Sequence, residues 1–402
     1  MTFRRRPLHV VAVASVIYTL VFIAEMQGQP QHNGQQIFRF DTFGDEQLWT
    51  NVLRMHEAVA DVDPTTALSV GLKVDVDALP SSIVDALRRG DGVDLTSPAT
   101  TIALLRLNAV VGLKGAVNDA GQLTSLGITC ALCHSTVDDS LAKGIGHRLD
   151  GWGNRDLDVG KIVSLSKAVP DASKTEFLKW GPGRYDPRHH KFDGTNLVPL
   201  NDPSIPIEIP SIFGLKQVGF ETYTADGPIS YWNSYVGVSQ MGGHGSFHDP
   251  RIGVFITQTP DLVTPKLPAL LDYQLSLRVP APPDGSFDKE AARRGREVFR
   301  RDAGCATCHQ RPAFTDVLSG HDHDVPFLHD PAEVGTDAAY AARTATGKYR
   351  TTPLRALWQH APYFHDGSAA DLQAVVDHYD KQFGLALTPQ QKADLVEYLK
   401  SI

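Results

Sequence analysis

The sequence predicts a mainly α-helical fold with long ordered loops, and three observations point to this class. Apolar residues recur at helical spacing in several segments, as at Leu48, Val52 and Met55. Glycine (34) and proline (26) are frequent enough to indicate a loop-rich globular protein. One short cysteine pattern occurs twice, which indicates two related parts. The 402 residues are enough for two or three domains.

The charge balance argues against a nucleic acid as partner. The chain carries 46 acidic and 38 basic residues, for a formal net charge of −8. A phosphate backbone is normally bound by a basic surface, and no basic stripe occurs in the sequence. Hydrophobic residues at 42% also exclude a wholly disordered chain.

The first thirty residues are predicted to be a signal peptide or an N-terminal membrane anchor. Three arginines at positions 4–6 precede an apolar run from Leu8 to Ala24. That run lies at the short limit for a membrane span. In both cases we expect the rest of the chain to be periplasmic, either released or held at the inner membrane by residues 8–24. No other contact with a membrane is expected.

Residues 31–124 are predicted to form a helical N-terminal extension. Val70–Val76 alternates apolar and polar residues and is a strand-like exception. A helix over Ile102–Val110 is expected to deliver the chain to the first cysteine pair. Between positions 178 and 249 the composition turns to glycine, proline, asparagine and aromatic residues, which favours long ordered loops.

A proline-rich linker at 280–286 separates two predicted domains, at 125–279 and 287–402. The second begins with a helix whose apolar face leads into Cys305. It ends with a helix in which Thr388 is the N-cap and Gln391 completes a capping box.

All four cysteines fall in two copies of one pattern, Cys130-Ala-Leu-Cys133-His134 and Cys305-Ala-Thr-Cys308-His309. Two thiols at this spacing form thioethers to haem vinyl groups, and the histidine that follows ligates the iron. Zinc is the alternative, but each pair precedes a histidine and the pairs lie far apart, which disfavours a single zinc site. The sequence therefore predicts two covalently bound haem c groups, with His134 and His309 as proximal ligands.

The sixth ligand of each iron decides between electron transfer and catalysis. The methionines stand at positions 1, 26, 55 and 241, so residues 287–402 contain none. In that domain, Tyr379 shares a helical face with Leu372 and Val376, and it is either a ligand or a core tyrosine. His365, in a turn, is a further ligand candidate or a partner of a haem propionate.

For the first iron, His147 is a candidate distal ligand because its glycine-rich surroundings let the backbone approach a flat macrocycle. The alternative is an ordinary surface histidine. The glycine-rich loop from Gln240 to His248 offers Met241 and His244. Ligation by either one would leave that haem six-coordinate and catalytically inactive.

Several segments together resemble one family. These are Ala292-Arg-Arg-Gly-Arg-Glu-Val-Phe299 before the second cysteine pair, Tyr349-Arg-Thr-Thr-Pro353, Ala361-Pro-Tyr-Phe-His365-Asp-Gly367 and Val375-Val-Asp-His-Tyr379. In this order they resemble the bacterial di-haem cytochrome c peroxidase superfamily. The tyrosine at position 379 makes the chain similar to one branch of this superfamily, in which a tyrosine is the ligand. That branch is related to the methylamine-utilisation di-haem enzyme. The resemblance covers roughly residues 125–402.

The resemblance implies two cytochrome c-like haem domains packed face to face. Electrons would come from a small donor protein of the cytochrome c or cupredoxin type. They would pass from the haem at Cys305 and Cys308 to the haem at Cys130 and Cys133, where hydrogen peroxide is reduced. It implies further roles for three residues: His147 as displaceable distal ligand, Tyr379 in the place of a methionine ligand, and Gln240 as the distal group that assists proton transfer.

The two halves also show an internal repeat, since Ile209–Gly227 parallels Thr352–Gly367. The family's bridging tryptophan is replaced by Ala225, and Trp232 is the nearest substitute. The leading prediction is a peroxidase-like oxidoreductase. The alternative is a non-catalytic di-haem subunit for electron transfer.

Overall fold

Helices carry most of the regular backbone, and strands occur only in short pairs. The computed structural model describes residues 33–90, 92–188, 190–199, 203–318 and 327–402. About 41% is helix and 13% is strand, which confirms the predicted mainly helical class. The predicted signal or anchor at residues 1–30 lies outside the described residues. Within the described part, no helix is both long and apolar enough to span a bilayer.

The helices are short and alternate with turns. In chain order they are α1 Gly34–Phe40, α2 Met55–Val59, α3 Pro64–Ser69, α4 Ser81–Arg89, α5 Pro98–Arg106, α6 Ala131–His134, α7 Val159–Ser164, α8 Asp171–Phe177, α9 Ile229–Tyr235, α10 Leu267–Ser276, α11 Lys289–Glu297, α12 Pro331–Val334, α13 Leu372–Phe383 and α14 Pro389–Lys400. Three π-helical turns extend or join them, at Gln47–Val52, Val236–Gln240 and Val298–Asp302.

The strands are β1 Val74–Asp75, β2 Leu113–Val117, β3 Leu123–Ile128, β4 Ser135–Val137, β5 Ile145–Gly146, β6 Arg148–Asp150, β7 Arg184–Tyr185, β8 His190–Phe192, β9 Leu197–Pro199, β10 Ile207–Glu208, β11 Phe247–Asp249, β12 Val254–Ile256, β13 Leu328–His329 and β14 Tyr349–Arg350. The pairs β2–β3, β4–β6, β7–β10, β8–β9, β11–β12 and β13–β14 are antiparallel, whereas β1–β5 is parallel.

The chain reaches Cys130 by a hairpin and not by the helix expected over Ile102–Val110. Helix α5 ends at Arg106, and the antiparallel strands β2 and β3 then carry the backbone to the cysteine. The apolar run spans the end of α5 and the approach to β2. The composition of this run does not show where the 3.6-residue spacing of a helix ends and the two-residue spacing of a strand begins.

Two helices cross closely in the C-terminal part. At Gly295 in α11 a Cβ atom would lie 1.9 Å from the carbonyl oxygen of Asp394 in α14, so only glycine permits this approach. Beside the crossing, Arg294 pairs with Asp394 at 2.7 Å. The predicted capping box at Thr388 and Gln391 is present and begins α14.

The described chain from Gly34 to Ile402 forms one compact unit with separate apolar clusters. The largest cluster draws on positions from Ile37 to Leu270, and another draws only on Val298 to Leu399. The gap between them contains the proline-rich linker. The first cluster is continuous across residue 124, and the domain boundaries stay predictions.

The internal repeat is present in the backbone, in a register different from the predicted one. The sequence pairs Asp226-Gly227 with Asp366-Gly367. In the structure, residues with positive φ recur at one constant separation of 142 positions, in the pairs Gly214 and Ala356, Thr222 and Phe364, and Ala225 and Gly367. Two 3₁₀ turns, Leu215–Gln217 and Leu357–Gln359, share that separation. Matching backbone turns, rather than matching side chains, therefore set the correct alignment.

Candidate functional site

The first motif is one turn of helix held by its surroundings. Asn154 N donates to the Cys133 carbonyl at 2.9 Å, and Gly151 N donates to the His134 carbonyl at 2.8 Å. The ring of His134 bonds through Nδ1 to the carbonyl of Pro210 at 3.0 Å. A carbonyl only accepts, so Nδ1 carries the proton and Nε2 keeps its lone pair. Burial lowers the pKa of His134 to about 4, which keeps this ring neutral.

The second motif repeats this arrangement. The stretch Cys305–Thr307 is a 3₁₀ turn, and His309 N donates to the Cys305 carbonyl at 2.9 Å. The ring of His309 bonds through Nδ1 to the Phe314 carbonyl at 3.0 Å. Burial lowers the pKa of this imidazole as well. In both histidines a carbonyl bonded to Nδ1 orients the ring, an arrangement that is usual for metal-bound histidines.

The four cysteines are free thiols. Burial raises the pKa of Cys130 and Cys133 to about 12 and that of Cys305 to about 11. The second motif lines a large cavity to which the first motif contributes no residue, so that cavity does not combine both pairs into a four-thiolate zinc site. Cys305 and Cys308 line that cavity, where their thiols could form thioether bonds to haem.

That cavity has a volume of about 690 Å³, within the range of cofactor sites. Cys305, Cys308 and His309 contribute to its wall, and Tyr379 lines it as well. Burial, together with the nearby Cys305 and Cys308, raises the pKa of Tyr379 to about 12. The structure thus brings the predicted tyrosine to the second motif. A haem would be held there by the two cysteines and by Nε2 of His309.

Three arginines suit the propionate end of a haem. Arg155, Arg350 and Arg355 all line the same cavity. Arg155 pairs with Glu208, while Arg350 and Arg355 lie 3.1 and 3.6 Å from Glu221. Guanidinium groups match the planar carboxylates that haem carries. The lining therefore fits the macrocycle, and a propionate would share these arginines with Glu208 and Glu221.

His365 lines this cavity, but its ring is already bonded on both sides. Nε2 lies 3.0 Å from the Tyr349 hydroxyl and Nδ1 lies 3.4 Å from Thr336 Oγ1. The side chain is only 4% exposed. As an iron ligand, His365 would first have to release one of these partners. A bond to a haem propionate, the other role that the sequence left open, would need the same release, and both roles stay predictions.

The predicted distal residue Gln240 lies in a cluster of tyrosines. Its Oε1 accepts a hydrogen bond from the Tyr185 hydroxyl, and its Nε2 donates to Tyr235 at 3.2 Å and Ser239 at 3.0 Å. Burial, followed by the nearby Tyr235 and Cys133, raises the pKa of Tyr185 well above its usual value. Tyr185, Tyr235 and Cys133 all belong to or pack against the largest apolar cluster, so these tyrosines share the core region of the first motif. Sequence analysis had missed Tyr185 and Tyr235.

The side-chain contact of His147 is with Asp77 and not with the first motif, and the ligand role that the resemblance implied stays a prediction. It lies between β5 and β6, and its side chain is 58% exposed. Its Nδ1 bonds to Asp77 at 2.9 Å, and this carboxylate raises the pKa of the imidazole. The contact with Asp77 orients the ring at the surface, as in the alternative of an ordinary surface histidine.

The other candidates of the glycine-rich loop are also engaged. Met241 is 4% exposed and is part of the largest apolar cluster, and its carbonyl accepts from Trp49 Nε1 at 2.8 Å. His244 bonds through Nδ1 to the Pro260 carbonyl at 2.7 Å. His248 is exposed and bonds to Thr257 at 2.7 Å. These contacts describe a packed loop and give none of the three a specific relation to His134.

A tryptophan pair joins the two predicted haem domains, and it is not the one expected. Trp232 is buried and donates to the Glu221 carbonyl at 3.2 Å. The rings of Trp152 and Trp358 instead meet edge to face at 5.7 Å. Trp152 follows Gly151, whose backbone N–H donates to the carbonyl of His134. Trp358 lies next to Leu357, which lines the cavity at the second motif. No local sequence signal distinguishes this pair.

A polar group beside Cys308 was also missed. The ligand-type atoms of Cys308, Asp316 and His329 lie within 4.8 Å of one another. His329 bonds to Glu333 at 2.8 Å and to Thr351 at 3.0 Å through its two ring nitrogens. Since both nitrogens are taken, His329 supports the wall of the second site.

No protein-family model matches this chain. It is 33% identical over 122 residues to the methylamine utilization protein MauG of Methylorubrum extorquens, a match that covers 28% of this chain and 34% of that protein. It is 28% identical over 181 residues to the cytochrome-c peroxidase IdrP1 of Pseudomonas sp. (strain SCT), covering 33% of this chain and 48% of the relative.

The matches thus span between a third and a half of the length of these relatives. A solved structure described as a MauG-like protein associated with microbial copper homeostasis is 21% identical, covers 49% of this chain and 73% of its own, and superposes with a TM-score of 0.37. The sequence matches confirm the predicted resemblance: this chain is related to MauG and the cytochrome-c peroxidases of the di-haem superfamily.

Proposed function

We propose that this protein is a periplasmic di-haem c-type oxidoreductase with peroxidase-like activity. One haem c would be bound at Cys130 and Cys133 and the other at Cys305 and Cys308. One observation carries the proposal: at each motif the histidine is oriented through Nδ1 by a backbone carbonyl, which leaves Nε2 for iron. The relatives named as cytochrome-c peroxidases support the choice of reaction.

When bound, a haem supplies a redox-active iron that exchanges electrons with peroxide and with a donor protein. Around the first motif, the chain supplies hydrogen-bond donors. Tyr185 keeps its proton at neutral pH because burial raises its pKa. Gln240 is fixed by Tyr185 and Tyr235, so its amide group has one defined orientation. Gln240 would orient peroxide through its amide once Tyr235 or Ser239 releases it, and Tyr185 would hold the neighbouring proton.

The second motif would receive electrons from a small redox protein of the cytochrome c or cupredoxin type. Tyr379 stays neutral at ordinary pH unless a metal cation replaces its proton, because burial raises its pKa to about 12. The iron of a haem bound at the second motif would be such a cation. The Trp152–Trp358 contact would connect the two domains.

The haem content and reactivity of the full-length holoprotein test this function. We expect the mass of two haem groups per chain and the haemochrome spectrum of thioether-linked haem. We also expect a high-spin band and carbon monoxide binding at one haem, with oxidation of a reduced donor cytochrome by hydrogen peroxide. Two low-spin haems inert to both carbon monoxide and peroxide would instead favour the electron-transfer subunit. One haem or none would contradict the di-haem proposal.

The periplasmic location rests on the basic and apolar pattern of the first thirty residues. Fractionation of cells that express the full chain should place the holoprotein in the periplasm or in the inner-membrane fraction. A version with Leu8–Ala24 replaced by a polar sequence should remain in the cytoplasm without haem. Recovery of that version as a periplasmic holoprotein would show that residues 8–24 do not direct the chain to the periplasm.

A further inference from the structure

A second large cleft lies outside both cysteine motifs and has a volume of about 710 Å³. One side comes from the first predicted haem domain, at residues 214–217 and 275–279. The other side comes from the C-terminal domain and includes residues 311–314. This volume lies within the range of small-molecule sites.

The cleft concentrates positive charge. Its lining contains five cationic residues and neither an aspartate nor a glutamate: Lys216, Arg278, Arg296, Arg311 and Arg355. The whole chain, in contrast, carries a net charge of −8. A concave surface of one sign focuses its electric field and raises the local concentration of ions of the opposite sign.

Four of these cations lack carboxylate partners. Within the described part of the chain, the exposed side chains of Lys216, Arg278, Arg296 and Arg311 form no ion pair. Arg355 differs, because it is largely buried, lies 3.6 Å from Glu221 and donates to the Gly214 carbonyl at 2.9 Å. The four exposed cations therefore remain available to an incoming anion.

Arginines just outside the cleft do find carboxylates. On α11, Arg293 pairs with Glu290 at 3.2 Å and Arg294 pairs with Asp394 at 2.7 Å. Arg296 lies on the same helix, lines the cleft and has no such partner. Whether an arginine of α11 has a carboxylate partner therefore depends on its position relative to the cleft. It does not depend on how many acidic residues the chain contains.

The wall between the charges is apolar and aromatic. Leu275, Leu277 and Val279 line one side, and Phe314 and Tyr398 line the other. The guanidinium of Arg311 lies 5.7 Å from the centroid of the Phe314 ring, which restrains its orientation. A ligand for this cleft would combine anionic groups with a carbon skeleton.

We propose that this cleft binds a small organic anion that carries two or more carboxylate or phosphate groups. Arginine forks match the geometry of both groups, and several unpaired cations favour a multivalent anion over a monovalent one. The site is separate from the proposed haem chemistry, although Leu354 and Arg355 line both cavities.

Calorimetric titration of the full-length holoprotein tests the site, with citrate and fructose 1,6-bisphosphate as probes and acetate as the monovalent control. We expect one probe to bind with one-to-one stoichiometry and with an affinity that falls as salt rises. The better probe identifies carboxylate or phosphate as the preferred group. Arg296→Gln and Arg311→Gln should each weaken binding about ten-fold, because each removes a charged donor.

Arg293→Gln is the matched control on the same helix and should leave the affinity unchanged. Lys216→Gln probes the opposite wall and should also weaken binding, should an arginine variant fail to fold. The proposal is overturned if neither probe binds at low salt, or if Arg293→Gln weakens binding as much as the cleft variants do. Haem content and peroxide turnover are measured separately, so failure here is distinct from failure of the proposed function.

Discussion

At the scale of single residues, a hydrogen bond opposite the metal position defines each proposed iron ligand. Pro210 and Phe314 accept from Nδ1 of His134 and His309. Such a bond fixes the tautomer and the ring plane before any metal arrives. The two acceptors come from different local structures, so the similarity lies in the chemistry rather than in the local sequence.

Replacement of Tyr379 tests its role at the second site. Tyr379→Phe should change the optical spectrum of one haem only, because the phenol oxygen is lost while the ring remains. The measurement is the oxidised and reduced spectrum of the holoprotein. Tyr398→Phe, in the same domain but outside the second-site cavity, should leave the spectrum as it is. An unchanged spectrum in Tyr379→Phe would return this residue to a core role.

Gln240 is expected to act on turnover rather than on stability. Gln240→Leu keeps the size of the side chain and removes its hydrogen bonds to Tyr185 and Tyr235. Peroxide turnover should fall about 100-fold, as for loss of a group that assists proton transfer. Steady-state assays with a reduced donor cytochrome measure this effect, and the haem spectrum serves as the control for folding. Equal turnover in the variant and the parent would remove Gln240 from the site.

At the scale of elements, the crossing of α11 and α14 depends on one glycine. Gly295→Ala would place a methyl group 1.9 Å from the Asp394 carbonyl. The helices would have to separate, at a cost of about 1–3 kcal/mol in the free energy of unfolding. Urea denaturation of the holoprotein measures this change. Arg293→Ala, on the exposed side of the same helix, should stay within about 0.5 kcal/mol of the parent.

Elements with a clear period and clear ends could be predicted from the sequence. Thr388 and Gln391 predict the start of helix α14. The apolar spacing of α11 predicts its buried face. The hairpin β2–β3 was missed because its pairing depends on contacts between strands, while its sequence Leu-Lys-Gly-Ala-Val carries a weak alternation.

The candidate site shows the same division. Each Cys-x-x-Cys-His motif consists of consecutive residues and can therefore be recognised from the sequence alone. The partners of Gln240 were not, because Tyr185 lies 55 positions away along the chain and only the tertiary fold brings it near. His147 illustrates the reverse case, in which a favourable local sequence says nothing about the distant Asp77 that holds its ring.

At the scale of the whole molecule, the buried His360 ties the stability of the fold to pH. Desolvation and the neighbouring Arg155 and Arg355 lower the pKa of His360 to about 3. The unfolded chain takes up this proton near pH 6.5, whereas the folded chain does not. Stability from this residue is therefore complete above about pH 6.5 and is lost progressively as pH falls toward 3.

Replacement of His360 should consequently reduce the acid sensitivity of the fold. Between pH 7 and pH 4.5, His360→Gln should lose less of its unfolding free energy than the parent loses. Urea midpoints at the two pH values provide the measurement. The exposed His248 supplies the matched control, since His248→Gln should follow the parent. Equal losses in His360→Gln and the parent would contradict the lowered pKa.

The apolar core that crosses residue 124 limits how far this protein can be shortened. The predicted resemblance begins near residue 125, yet Leu48 and Met55 are each only 1% exposed within the same cluster as Leu132 of the first motif. A version trimmed to the familiar region would leave that cluster open to water, and exposed apolar patches of this kind promote aggregation. Any minimal form of the protein, for engineering or for electrode attachment, must therefore keep the extension.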